Sequence, residues 1–229
     1  MQNFIDEFTL NFIEKNRYQY IIEGFVNTLI ISLFAVLVGI VIGFLVAIIR
    51  SSHDKTGRMK AGNFICRIYL TVMRGTPTMI QLLIIYYVIF ATVNIPKVFV
   101  AVVAFGLNSG AYVAEIVRSG IMSVDEGQFE AGRSLGLNYR QTMQFIVMPQ
   151  AFKNVLPALG NEFIVLLKET SISGYIGLTD LTHGGDIIRG ITFSAFMPLV
   201  AVALIYLLLV TGLSWCVNKL ERRLRVNER

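Results

Sequence analysis

Charge is scarce in this chain. Asp, Glu, Lys and Arg make up 15% of its 229 residues, where soluble domains carry about a quarter. With 55% hydrophobic residues and a mean hydropathy of +0.64, that shortfall excludes an ordinary water-soluble globule. Cysteine is scarcer still. Two residues, Cys66 and Cys216, build no disulfide framework, and both fall on the side argued below to be cytosolic, where thiols stay reduced. Histidine is limited to His53 and His183, each better read as a loop residue than as a metal ligand. No G-x-x-x-x-G-K-S/T phosphate loop occurs, so the chain is not an enzyme by itself and cannot hydrolyse ATP alone. The first twenty residues lack the basic start and unbroken apolar core of a signal peptide.

What is present is apolar chain in membrane-length windows of about 20 residues. Five spans are predicted, at 21–49, 64–94, 98–117, 152–169 and 196–217, the second interrupted at Arg74-Gly75-Thr76-Pro77. The fold class is therefore an all-α membrane protein, a single transmembrane domain over 1–229. In segment 1–20, Phe4, Phe8 and Phe12 recur every four residues beside Ile5 and Ile13, which predicts a helix lying in the membrane interface. Lys and Arg set the orientation. Segments 50–74, 118–153 and 218–229 hold fifteen of the twenty, and the segments between them hold five. The N-terminus is thus expected outside and the C-terminus inside. The pI near 9.3 reflects this topology and requires no nucleic-acid partner. Gly39 and Gly43, and Gly106 and Gly110, form small-xxx-small pairs that let helices approach closely. Segment 171–193 is too polar to span and is expected as an external loop with a short helix at 176–182.

The orientation puts 125–149 in the cytosol, between spans three and four. Asp125 can cap a helix with Gln128 as its box partner, and Gly136 stops it. Asn138 can cap a second helix, with Gln141 in the box position and Pro149 at its end. One side carries Glu126, Glu130, Arg133, Arg140 and Gln144; the other carries Leu135, Met143, Ile146 and Val147. Such a knob suits docking into a groove on a cytosolic partner.

At these residues the chain resembles the membrane subunits of bacterial ABC importers. Their cytoplasmic signature runs E-A-A, three residues, G, nine residues, I, any residue, L-P. Here Glu130, Ala131 and Gly132 are followed by Gly136, then Ile146 and Pro149, with Gly132 for the second Ala and Met148 for Leu. The runs RGTPTMIQ at 74–81, GAYVAEIVRSGI at 110–121 and NEFIVLLKETS at 161–171 are similar to the polar amino-acid branch. The resemblance covers about residue 20 to the C-terminus. It implies a multi-pass permease of the bacterial inner membrane whose loop is a coupling helix. ATP and Mg would be bound by a separate ATPase present in two copies. The further partners implied are a second permease, as a homodimer or a heterodimer, and an external amino-acid-binding protein.

Two carboxylates fall inside the predicted spans, Glu115 and Glu162. A charge in hydrocarbon costs at least about 2.5 kcal/mol, so each needs a cavity or a partner. Arg118, three residues past Glu115, is one internal candidate; Lys168 lies more than a turn from Glu162. Asn108, Tyr112 and Glu115 share one helical face, Asn161 adjoins Glu162, and Gln81 sits one turn past Pro77. Singly these are interhelical glue; together they can line one polar cavity. At the break, Pro77 suits a helix's first turn, Thr76 can cap it and Gly75 permits unusual backbone angles. Free N–H groups at 75–78, Thr78 included, can hold a carboxylate, or the break is a plain proline kink. The acidic pair points to a cationic amino acid (arginine, lysine or histidine). A neutral polar amino acid such as glutamine is the alternative. So is an ion-coupled secondary transporter, although no inverted repeats are visible.

Overall fold

The computed structural model describes residues 2–226, so Met1 and the end of the basic C-terminal segment lie outside the described residues. No strand occurs among them. Helix α1 spans Gln2–Phe8 and continues through a π-helical turn at Thr9–Ile13. The predicted interfacial helix does not run on to residue 20. Lys15 and Asn16 both adopt positive φ, and the chain restarts as α2, Tyr18–Thr56. Phe4, Ile5 and Phe8 are exposed as an interfacial face requires. Phe12 instead turns inward against Ile188 and Met197.

After α2 come α3 (Lys60–Gly75), α4 (Thr78–Ile84, extended by a π turn at Ile85–Ile89) and α5 (Lys97–Met122). Helices α6 (Glu126–Ser134) and α7 (Tyr139–Thr142) form the predicted knob. Helix α8 is Met148–Glu169, α9 Leu181–Thr192 and α10 Phe196–Val226. Among the described residues three helices, α2, α5 and α10, are long and apolar enough to cross a membrane, and the bent pair formed by α3 and α4 makes up to four. The five-span prediction goes one beyond that. Helix α8 has the length, at 22 residues, but carries Asn161 and Glu162 in its body. The second span is also far from straight: the chain bends by 112° between its halves.

Helix α5 is the centre of the molecule, and glycines set its approach to α2. A Cβ on Gly39 would stand 2.8 Å from the Ser109 hydroxyl, and one on Gly43 2.5 Å from Val113. From the other side, a Cβ on Gly106 would stand 2.7 Å from Val38, and one on Gly110 2.8 Å from Ile42. The two small-xxx-small pairs thus face each other's helix. Around this crossing Ile31, Ala35, Leu82, Ala104, Phe105 and Leu166 form one core that ties α2, α4, α5 and α8 together.

Segment 171–193, expected as an external loop, is more ordered than a loop. A 3₁₀ stretch at Thr170–Ile176 ends at Gly177, with φ +68, and Asp180 caps α9. The short helix expected at 176–182 is therefore the turn between two helices, and α9 follows it. Asn11 joins α1 to this segment, accepting 2.8 Å from the Thr192 hydroxyl.

Candidate functional site

The break between α3 and α4 is stitched by side chains. The Gln81 amide donates to the carbonyls of Met73 and Thr76, both at 3.0 Å, and to the Thr76 hydroxyl at 2.8 Å. Asn108 donates to the Gln81 side-chain oxygen at 2.8 Å and to the Met73 carbonyl at 3.3 Å. Carbonyls orphaned where α3 ends are thereby satisfied. The side chains of Gln81 and Asn108 are consumed in this work. Thr76 does not cap α4, because its hydroxyl donates back to Val72 at 2.7 Å. Pro77 takes the cap position itself, with Thr78 as the first residue of α4. Gly75 stays in ordinary helical geometry at the end of α3, and a Cβ there would meet nothing.

The two carboxylates part company. Glu115 is an internal ion-pair hub. Arg118 reaches back from one turn on, at 2.5 Å, and Arg74 approaches from α3 at 3.6 Å while lying over the Tyr112 ring. Two guanidiniums already face Glu115, which favours the internal partner over a ligand's cation. Glu162 is 8% exposed and accepts 2.7 Å from Ser109 on α5. It makes no ion pair among the described residues. Both carboxylates line one cavity of about 410 Å³, with Arg74, Tyr112, Ser119 and Asn154 on its wall. Asn161 points elsewhere, into a neighbouring cavity with Lys153 and Glu221. Gly75 borders a third, basic cavity with Arg50, Arg67 and Arg74. Of the predicted substrate residues, then, Glu162, Glu115 and Tyr112 come together, while Asn161, Gln81, Asn108, Gly75, Thr76 and Thr78 do not line this cavity. Ser109 and Arg74 were missed as site residues. Ser109 left only the faint signal of a small polar residue inside an apolar span. Arg74 reads in the sequence only as the start of the break and as one of the inside charges, and its reach to Glu115 has no local signal.

The knob is built much as its sequence suggests. Asp125 caps α6 by accepting from the Gly127 N–H at 2.7 Å. Its expected box partner Gln128 does not return the bond and accepts from Gln150 instead. The Asn138–Gln141 capping box is complete, with bonds of 3.0 and 2.9 Å. Gly136 turns the chain at φ +77. Gly132 is buried against α7, where a Cβ would stand 2.5 Å from Thr142, so the smaller residue seats the two helices together. Pro149 does not end the second helix. The chain runs from α7 through a π turn at Met143–Val147 into α8, and Pro149 lies in the first turn of α8, where proline's missing N–H costs little. The knob is therefore joined to α8 and Glu162 with no intervening loop. Glu126, Phe129, Glu130, Arg133, Tyr139 and Thr142 line a groove of about 480 Å³ between α6 and α7. Ala131 and Arg140 are exposed beside it. Leu135, expected on the apolar side of the knob, is 75% exposed at its tip.

A family model described as "binding-protein-dependent transport system inner membrane component" matches residues 39–226. The arginine transport system permease protein ArtQ of Bacillus subtilis is 36% identical over 211 residues, covering 91% of this chain and 94% of that protein. The glutamine transport system permease protein GlnP of Escherichia coli is 36% identical over 209 residues, covering 90% and 93%. Among solved structures, an amino acid ABC transporter crystallised with histidines superposes with a TM-score of 0.84 at 41% identity, covering 93% of this chain and 98% of that one.

Proposed function

Because the chain belongs to the binding-protein-dependent transport system inner membrane components, as a permease subunit of an amino-acid ABC importer, we propose that it carries a cationic amino acid past Glu162. One observation carries this reading. Glu162 is a buried carboxylate held by a single hydroxyl, and no cation stands within ion-pair distance of it among the described residues. A side chain or ammonium of arginine, lysine or histidine would supply the missing charge, since a charge-assisted bond in a secluded site is stronger than a neutral one. Arg74, only loosely held to Glu115 at 3.6 Å, stands on the same wall to take the α-carboxylate.

A second reading is a neutral polar amino acid such as glutamine. The Escherichia coli relative is named as a glutamine permease, and Glu162 can accept from any α-ammonium. Substrate-dependent uptake into proteoliposomes containing the complete importer separates the two. Glu162→Gln should lower uptake of a basic amino acid by about tenfold or more, the scale of a lost hydrogen bond to a charged group, while sparing glutamine. Equal loss of both, or no loss, rejects the cationic reading.

Membership of the family implies an ATPase partner and an external binding protein. In the reading offered here the α6–α7 knob enters a cleft on each of two ATPase subunits, which bind ATP and Mg. A second permease copy, as a homodimer, completes the path. Since α7 continues into α8, a displacement of the knob is carried along one rod to Glu162.

A further inference from the structure

The basic cavity lies on the far side of Arg74 and shares Arg74 and Tyr112 with the transport cavity, while its other arginines play no part in the transport reading. It measures about 560 Å³ and is lined by Arg50 on α2, Arg67, Thr71 and Arg74 on α3, and Tyr112 on α5. Three guanidiniums converge there. Arg74 leans toward Glu115 at 3.6 Å. Arg67 makes no hydrogen bond or ion pair among the described residues, and the buried Nε of Arg50 has no partner. Asp54 lies beside His53 at 3.4 Å and borders a neighbouring cavity with Arg50 and Arg118, and the Glu115 carboxylate that faces Arg74 is shared with Arg118. The cavity is therefore short of negative charge.

Its place in the membrane is informative. Arg50 lies six residues before the end of α2 and Arg67 seven residues after the start of α3. At 1.5 Å per residue both stand about 10 Å from the turn that joins these helices, near the depth of the headgroup layer. Charge distribution assigns this turn to the cytosolic side. Beside the polar stripe Arg67–Thr71–Arg74, the same helix exposes Phe64, Ile65, Ile68 and Val72. A cationic pocket continuous with an apolar wall matches an amphiphile with an anionic head. Guanidinium pairs also suit phosphate oxygens in bidentate geometry.

We propose that this cavity binds the phosphate of an anionic phospholipid of the cytosolic leaflet, with its acyl chains along the apolar stripe of α3. Basic pockets between membrane helices on that side recognise such headgroups. The site is separate from Glu162 and does not depend on which amino acid is carried.

The test is native mass spectrometry of the permease–ATPase complex taken from bilayers of phosphatidylcholine with a minor share of phosphatidylglycerol. Retention of phosphatidylglycerol in preference to phosphatidylcholine is expected. The double variant Arg50→Gln, Arg67→Gln should lower that preference roughly thirtyfold, since each basic side chain near an anionic leaflet is worth about fivefold. Should the double variant fail to assemble, Arg67→Gln alone serves, with about a fivefold loss expected on the same scale. Arg67→Lys, which keeps the charge but not the two-point guanidinium contact, should lose less binding than Arg67→Gln. Excess inorganic phosphate should leave the lipid in place. No preference in the unaltered complex, unchanged retention in the Gln variants, or displacement by inorganic phosphate overturns the proposal. The last outcome would make this a site for small soluble anions, and unchanged retention would mean that the arginines only snorkel to water.

Discussion

Glu115 and Glu162 are the same side chain in the same cavity with different fates. Glu115 is held between Arg118 and Arg74; Glu162 has Ser109 alone. Glu162→Gln is therefore expected to remove cation recognition while leaving the fold intact, because an amide still accepts from Ser109. Glu115→Gln should act differently. It removes the anion between two guanidiniums that are themselves 44% and 46% exposed, so its first effect is a small loss of thermal stability, about 0–1 kcal/mol on the scale of an exposed ion pair. If Glu115→Gln abolished substrate binding without a change in melting temperature, the division of labour would be wrong. Both carboxylates are visible in the sequence, and so is the i, i+3 spacing of Arg118. The hidden part is Arg74, which reaches Glu115 from a different helix across a separation of 41 positions. Nothing local in the chain encodes that approach.

At the scale of elements, two features decide how the external segment is anchored. Backbone meets backbone where α2 passes α9: a Cβ on Gly24 would stand 2.4 Å from the Asp180 carbonyl oxygen, and one on Gly184 2.3 Å from that of Tyr20. Backbone cannot swing aside as a side chain does. Gly24→Ala should separate α9 from α2 at a cost of about 1–3 kcal/mol or more, seen as faster proteolysis between α8 and α10; protection equal to the parent's would contradict the contact. Asp180 is the second anchor. It is fully buried between α8 and α9, outside the membrane-spanning helices, and caps α9 through the Thr182 N–H at 2.9 Å. Its other carboxylate oxygen has no partner. Burial pushes its pKa up to about 6, above the roughly 3.9 of an unfolded chain. A raised acid favours the protonated folded state, so its contribution to stability is full below the unfolded value and is lost as pH rises through about 6. Amide exchange in α9, corrected for intrinsic rate, should be slower on the acid side of that value, and Asp180→Asn should flatten the difference.

These elements also show what was legible. The Asn138–Gln141 box, the Gly136 stop and the glycine pairs of α2 and α5 follow from short-range chemistry that sequence carries openly. Pro149 misled because proline reads as a stop. After a π turn it instead opens the next helix, and the turn itself has no sequence mark. Gln81 and Asn108 read as cavity polars because their real partners are backbone carbonyls at a kink, which no periodicity reveals.

For the whole molecule the proposed function has one mechanical consequence and one chemical one. Mechanically, under that proposal, the exposed tip of the knob would transmit work to α8. Leu135, at 75% exposure, has no packing role of its own. Leu135→Asp should leave the permease folded and its substrate affinity unchanged while uncoupling ATP hydrolysis from uptake, measured together in proteoliposomes. Full coupling in that variant would remove Leu135 from the docking surface. The chemical consequence is that selectivity resides partly within this chain, at Glu162. The direct test is equilibrium binding of a panel of amino acids to the purified permease–ATPase complex with no external binding protein present. Selective binding of arginine, lysine or histidine, lost in Glu162→Gln, is the predicted result. Absent binding, or equal binding of neutral and basic amino acids, would contradict it and assign selectivity to the external binding protein.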